Sequence, residues 1–278
     1  MPLNHTISPL LMLLAPALPA SAQTVIPITQ PMAGIDAVTV VSEAGSGEFI
    51  FDSGLGVSAV TPATAAKLGC TPWGKITGFR AIGERVDLQR CNAADVVIGG
   101  VRRRISELSV IDRTKFMGAA GDRFAGGIGL DAFDGEIVTL SIARHQVTLE
   151  DPRRWKASPR GVIAVPVRLV RAAEGAALTA SIGIVTASGT VWLEIDTGNY
   201  GPSRIDRHSA ALLGLDPEAK GRQHLSIDAG HGAALSGDAV VGDLIMDGNV
   251  GRGMLRDWDV TLDLKNGRGW LKKPAGGA

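Results

Sequence analysis

The chain has 278 residues, enough for one large domain or for two of about 100 to 150 residues each. Its 28 basic and 28 acidic residues cancel, so no net field would direct it to a nucleic acid or an anionic membrane. Glycine is abundant at 36 residues and helical periodicity is scarce, which favours β-structure with many tight turns.

The first 22 residues have the pattern of a signal peptide. An apolar run at residues 10–14 continues through two prolines to Ala20-Ser21-Ala22, an A-x-A cleavage signature. The pattern predicts that the mature chain begins at Gln23 and is exported, to a periplasm or to the outside of the cell. No later run reaches the roughly 20 apolar residues that span a bilayer, so no membrane span is predicted.

The chain then repeats itself. A hairpin at residues 37–51 leads into FIFDSGLGVSAVTPATAAKLG at residues 49–69, and a hairpin at 178–195 leads into WLEIDTGNYGPSRIDRHSAALLG at 192–214. Each copy is an apolar strand that ends in Asp, Ser or Thr, and Gly, followed by a short helix closing in Leu-Gly. The Asp lies 17 residues before the final Gly in the first copy and 18 before it in the second.

A second pair of segments recurs in the same order. Residues 128–149 align without a gap to residues 250–271, and both contain an apolar-Gly step and a Val-Thr-Leu strand that turns back on itself. The repeat predicts two lobes of similar structure, at residues 34–151 and 162–273. Residues 151–161 between them carry two prolines and several basic residues, which indicates a linker or crossing strand.

The paired motifs resemble those of retropepsin- and pepsin-like aspartic proteases, whose lobes each carry an apolar-apolar-Asp-Thr/Ser-Gly turn and a later apolar-Gly step. Here the turns are IFDSG at 50–54 and EIDTG at 194–198, with the steps at 128–129 and 250–251. The resemblance implies an all-β, bilobed acid-protease fold, with two similar closed β-barrel-like lobes related by a pseudo-two-fold axis and few short helices.

The resemblance also assigns roles to residues of the two turns. Asp52 and Asp196 would be the catalytic pair, because two adjacent carboxyls share a proton and can act together as acid and base. Four further residues would support the pair: the hydroxyls of one Ser and one Thr would brace the loops, and two glycines would allow close backbone approach. These are Ser53, Gly54, Thr197 and Gly198.

The implied activity is hydrolysis of peptide bonds by a water that the Asp pair activates, with a polypeptide as substrate and neither a metal nor an organic cofactor. Because one chain carries both Asp residues, a monomer is predicted. The alternative from another class of function is a non-catalytic, exported peptide-binding protein that keeps the cleft without the chemistry. An Asp-to-Asn change would separate the two, since it abolishes hydrolysis and spares binding.

Three local features complete the expectations. Residues 76–89, with Gly78 and Gly83 near the tip, predict either a hairpin that covers the cleft or an ordinary surface hairpin. Arg252, directly after the second apolar-Gly step, would put a cation near Asp196. Cys70 and Cys91 could form one disulfide or remain two buried thiols.

Two weaker patterns point to other kinds of site. Residues 127–132 read G-x-G-x-x-A, but the βαβ context of a dinucleotide site is missing. His224, Asp228 and His231 lie close in sequence, yet a polar, Gly-rich hairpin supplies such residues routinely, so no metal site is predicted.

Overall fold

The computed structural model describes residues 23–156 and 161–274, and the predicted signal peptide at residues 1–22 lies outside the described residues. The strands of the first half are, in chain order, β1 (Thr24–Pro27), β2 (Thr29–Met32), β3 (Ile35–Ser42), β4 (Gly45–Phe51), β5 (Ala59–Val60), β6 (Trp73–Phe79), β7 (Arg85–Arg90), β8 (Ala94–Ile98), β9 (Val101–Ile105), β10 (Ser109–Val110), β11 (Gly126–Ile128), β12 (Ile137–Ser141) and β13 (Gln146–Leu149).

The second half continues the β-structure. Its strands are β14 (Ile163–Val165), β15 (Val167–Val170), β16 (Thr179–Thr186), β17 (Gly189–Ile195), β18 (Ser203–Asp206), β19 (Arg222–Asp228), β20 (Ala234–Gly242), β21 (Gly248–Val250), β22 (Asp259–Asp263) and β23 (Arg268–Lys272). The helices are short: α1 (Pro62–Lys67), α2 (Thr114–Met117), α3 (Pro152–Lys156), α4 (Arg207–Ala210) and α5 (Arg252–Leu255), with single 3-10 turns at Gly118–Arg123, Leu130–Phe133, Ala173–Gly175 and Ala211–Leu213.

Two sheets form the two lobes, and six strands of each follow the same order. The first runs β6-β7-β10-β5-β11-β4-β3-β8-β9, with β2 beside β3, and the second runs β15-β16-β17-β21-β18-β20-β19. The stretch β3-β4-β11-β5-β10-β7 of the first sheet corresponds strand by strand to β16-β17-β21-β18-β20-β19 of the second. The predicted all-β architecture of two similar lobes is therefore confirmed.

A third sheet is shared by both halves of the chain. Its order is β1-β13-β12-β22-β23-β14, so strands near residues 24, 140 and 260 lie side by side. At its centre β12 and β22 are antiparallel, with Thr139 opposite Thr261 and their hydroxyls 2.7 Å apart. Both strands are buried along their whole length, which explains their unbroken apolar and Thr-rich sequences. The predicted lobe boundaries, 34–151 and 162–273, stay a prediction.

The segment predicted as a linker or crossing strand contains the short helix α3. Its Trp155 ring packs against the ring of Trp270 in β23, with the centroids 5.1 Å apart. One contact between two half-buried aromatic rings therefore anchors the segment that was predicted as a linker or crossing strand. None of the helices among the described residues is long and apolar enough to cross a membrane.

The cysteines are joined. A disulfide links Cys70, just after α1, to Cys91, just after β7, and their Cα atoms are 5.9 Å apart. The bond ties the helix that follows the first Asp turn to the base of the β6–β7 hairpin. Of the two arrangements that the sequence allowed, the structure has the disulfide.

Candidate functional site

The two Asp turns occupy equivalent places in the two lobes. β4 ends at Phe51 and pairs in parallel with β11, and the Asp52 amide donates to the Ile128 carbonyl at 3.0 Å. β17 ends at Ile195 and pairs in parallel with β21, and the Asp196 amide donates to the Val250 carbonyl at 3.1 Å. The apolar-Gly steps thus hold both Asp residues at the ends of their strands.

The two carboxyls face each other across the lobe junction. A Cβ atom built on Gly198 would lie 2.3 Å from Cγ of Asp52, and one built on Gly54 would lie 3.0 Å from Cγ of Asp196. Each glycine therefore packs against the Asp of the opposite lobe, and no side chain fits at position 198. The Gly54 amide also donates to Oδ1 of Asp52 at 2.8 Å.

A reciprocal brace joins the loops beneath the carboxyls. The Ser53 amide donates to Oγ1 of Thr197, and the Thr197 amide donates to Oγ of Ser53, both at 2.9 Å. The Ser53 hydroxyl in turn donates to the Ile195 carbonyl at 2.6 Å. The structure thus brings together all six residues that the sequence singled out, and the brace fixes the separation of the two carboxyls.

Burial determines how the pair titrates. Burial, together with the nearby carboxyls of Asp52 and Glu194, raises the pKa of Asp196 to about 8. Burial also raises the pKa of Asp52, against the opposing effects of the Gly54 amide and the Arg113 cation. Two carboxyls this close cannot both ionise cheaply, so they share one proton and titrate as a unit. The pair can therefore present a donor and an acceptor together.

Two residues that the sequence analysis missed surround Asp196. Glu194 lies two residues earlier, on the same side of β17, and burial raises its pKa to about 7. Asn249 in β21 donates to Oδ2 of Asp196 at 2.7 Å, while its own oxygen accepts from Asn199 at 3.1 Å. The signal for Glu194 was available, because a Glu in the apolar strand WLEI shares the period of two with the following Asp.

The cation near the pair is different from the expected one. Arg252 is buried and pairs with Asp36 of lobe one, and its guanidinium lies 4.6 Å from the centroid of the Tyr200 ring. Its ion-pair partner is the carboxylate of Asp36, brought in by β3, and not Asp196. Among the described residues, the cation whose charge lowers the pKa of Asp52 is Arg113, which forms no salt bridge with it.

The predicted hairpin is formed by β6 and β7, with its tip at residues 80–84. The tip reaches lobe two, where the Ile245 amide donates to the Ala81 carbonyl at 3.0 Å. On lobe one, the Arg80 guanidinium lies 5.9 Å from the centroid of the Phe116 ring in α2. The hairpin therefore bridges the two lobes at its tip, which an ordinary surface hairpin would not do.

A histidine contact and a cavity of the described chain lie apart from the pair. In residues 23–156 and 161–274 no group of three His, Cys, Asp or Glu side chains is placed to hold a metal ion. His224 contacts Ser236 at 3.0 Å. A cavity of about 240 Å³ lies elsewhere, lined by charged residues that include Arg103, Asp134 and Arg171.

Comparison with known proteins yields similar structures only. No protein-family model matches the chain, and no curated protein matches its sequence. Among solved structures, basic 7S globulin from soybean superposes with a TM-score of 0.56 at 10% identity, covering 90% of this chain and 94% of that chain. Conglutin gamma, a basic 7S globulin from lupine seeds, does so with a TM-score of 0.54 at 10% identity, covering 91% and 95%.

These comparisons correct the family assignment. The expectation that the chain is a member of the retropepsin- and pepsin-like aspartic protease family is wrong, because no family model supports it and the similar structures are basic 7S globulins. At this level of identity the globulins show the fold alone, which is two-lobed and pepsin-like. Neither of their names describes a protease.

Proposed function

We propose that the protein binds an extended polypeptide between its lobes, with Asp52 and Asp196 as the polar centre of the site. The facing pair of buried carboxyls is the observation that carries the proposal. One shared proton gives the pair a donor and an acceptor side by side, which matches the carbonyl and amide of a peptide backbone. The β6–β7 hairpin supplies a cover that already spans the two lobes.

Binding without chemistry takes precedence over hydrolysis because of the similar structures. They share the fold across at least 90% of this chain and are named as globulins. The signal-peptide pattern of residues 1–22 supports an exported protein, and both Asp residues on one chain support a monomer.

Hydrolysis of the bound peptide is the second candidate, and the shared proton of the braced pair favours it. The ionised carboxyl would take a proton from a water molecule, whose oxygen bonds to the peptide carbonyl carbon. The protonated carboxyl would donate its proton to the carbonyl oxygen, and the amine would leave with a proton as the C–N bond breaks. This chemistry needs no metal or organic cofactor.

Pepstatin and a pool of peptides from digested casein test both candidates. Binding would be measured by calorimetry and cleavage by mass spectrometry, from pH 4 to 8, for the unmodified protein, Asp52→Asn and the control Asp122→Asn, which changes an exposed carboxylate. We expect peptide binding without cleavage in all three proteins, with affinities within about tenfold of one another. Cleavage that disappears only in Asp52→Asn would establish hydrolysis, and no binding of any peptide would contradict the proposal.

A further inference from the structure

Arg113 carries a buried charge and buried nitrogen atoms without partners in the described part of the chain. The residue is 8% exposed, and its Nε and Nη2 atoms are buried without a hydrogen-bond partner among residues 23–156 and 161–274. The described residues also provide no carboxylate in salt-bridge contact with it. In contrast, the similarly buried Arg252 has its carboxylate partner in Asp36. Burial lowers the pKa of Arg113 to about 10, which leaves it charged near neutral pH.

The guanidinium occupies a space in the first lobe that a glycine leaves open. A Cβ atom on Gly127 would lie 2.0 Å from Nη2 of Arg113 and 2.9 Å from Cδ2 of Leu55. Gly127 belongs to β11, opposite Ile50 of β4, and Leu55 follows the Asp52 turn by one residue. The fork of Arg113 therefore lies over bare backbone in the wall beside Asp52, and only glycine leaves room for it.

Such an arrangement is costly without a ligand. Buried donors without partners and a buried charge without a contacting carboxylate both destabilise the fold. Asp52 provides only long-range compensation, since the two residues form no salt bridge. The guanidinium fork presents parallel N–H groups, a geometry that matches the two oxygens of a carboxylate.

We infer that Arg113 forms a subsite for a carboxylate, so that the bound polypeptide carries an Asp or Glu side chain next to the peptide group that faces Asp52 and Asp196. The inference rests on the proposed peptide-binding function. A carboxylate is favoured over a phosphate because the shared proton leaves one negative charge on the Asp pair, and this charge repels a dianion more strongly than a monoanion.

Matched peptides test the subsite. A series of nine-residue peptides would carry one Glu at each position in turn, and a second series would carry Gln there instead. Dissociation constants would be measured for the unmodified protein, Arg113→Met, Arg113→Lys and the control Arg102→Met, which removes an exposed cation from β9. We expect Glu to be preferred over Gln by about 10- to 100-fold at one position, as for charge-assisted hydrogen bonds.

The variants should differ in their preference for Glu over Gln. The preference should vanish in Arg113→Met, survive in part in Arg113→Lys and remain complete in Arg102→Met. Gly127→Ala should also remove the preference for Glu, since the new methyl group would occupy the position of the guanidinium while the charge of Arg113 is kept. Equal binding of Glu and Gln peptides, or a preference that survives Arg113→Met, would overturn the subsite even though peptides bind.

A second measurement separates failure of the subsite from failure of peptide binding. Protein labelled with ¹⁵N-arginine would be titrated with N-acetylglutamate amide and with the glutamine analogue, and the Nε–H signal of Arg113 would be identified from its loss in Arg113→Lys. We expect that signal to move with the glutamate compound only. If no peptide binds, the proposed function is overturned. If the Nε–H signal of Arg113 moves with neither compound, the subsite is overturned as well.

Discussion

At the scale of single residues, the site depends on contacts between positions far apart in sequence. Ser53 and Thr197 are 144 residues apart, yet each amide donates to the hydroxyl of the other. The contact is possible because both follow an Asp at a strand end and both precede a glycine. Their fixed position holds the carboxyls of Asp52 and Asp196 close enough to share a proton.

Removing one hydroxyl of the brace should destabilise the whole fold. Ser53→Ala leaves the Thr197 amide and the Ile195 carbonyl buried without their partner. We expect a loss of about 2–4 kcal/mol in the free energy of unfolding, measured in urea, since each buried unpaired group costs about 1–3 kcal/mol. The control Ser188→Ala, at an exposed turn, should stay within about 0.5 kcal/mol of the unmodified protein. Equal stability of both variants would show that the brace contributes nothing.

The sequence predicted the Asp turns because their geometry is local, and it failed for the two arginines because theirs is not. Arg252 follows Gly251 of the second lobe, which suggested proximity to Asp196, but its partner Asp36 is 216 residues away. Arg113 stands in a polar segment between β10 and α2, and nothing nearby in the sequence indicates burial. Its counterpart is the bare backbone of Gly127, which only the folded chain reveals.

At the scale of elements, the β6–β7 hairpin is held at its tip rather than only at its base. Gly83 has a φ of 81°, a left-handed conformation that favours glycine, and a Cβ atom there would lie 3.2 Å from Cγ2 of Ile245. The tip is joined to lobe two through the hydrogen bond between Ala81 and Ile245. Opening of the site therefore requires that this bond break.

A methyl group at the tip should loosen the hairpin. Gly83→Ala imposes about 1–2 kcal/mol of backbone strain and crowds Ile245. We therefore expect the amide of Ile245 to exchange with deuterium about tenfold faster. Gly78→Ala is the matched control, because a Cβ atom there meets nothing within 4 Å and its φ is not left-handed. Mass spectrometry of peptides spanning residues 240–250 measures the rate. Unchanged exchange in Gly83→Ala would mean that the tip contact does not restrain this loop.

Hairpins could be read from the sequence, whereas the shared sheet could not. The pairing of β3 with β4 and of β16 with β17 follows from alternation and a short turn. The pairing of β12 with β22 joins residues more than 100 positions apart, and both strands carry a Val-Thr-Leu run that equally suits a sheet confined to one lobe. The repeat therefore predicted the two lobes but not the sheet that they share.

At the scale of the molecule, several buried carboxyls resist ionisation. Burial raises the pKa values of Asp52 and Asp196, of Glu194 to about 7 and of Asp131 to about 6. The folded chain therefore binds more protons than the unfolded chain between about pH 4 and pH 8, and its stability falls as pH rises through this range. At lower pH the trend reverses, because hydrogen bonds to Asp263 and similar groups lower their pKa.

Stability should therefore be greatest in mild acid. We expect the free energy of unfolding to fall by about 3 kcal/mol or more between pH 4.5 and pH 8, measured in urea at a series of pH values. Asp196→Asn should reduce this fall by about half, since it removes one titrating group and relieves Asp52 of its neighbour. Asp122→Asn should keep the full pH dependence. A flat profile for the unmodified protein would contradict the raised pKa values.

The shared sheet also sets the order in which the chain can mature. β12 has an open edge until it pairs with β22, which lies more than 100 residues later in the chain. During synthesis, the backbone groups along this edge of β12 therefore stay unpaired, and such an edge readily pairs with strands of other molecules. The open edge of β12 is covered only after residues 259–263 have been synthesised, so a strand of the second half completes the base of the first lobe.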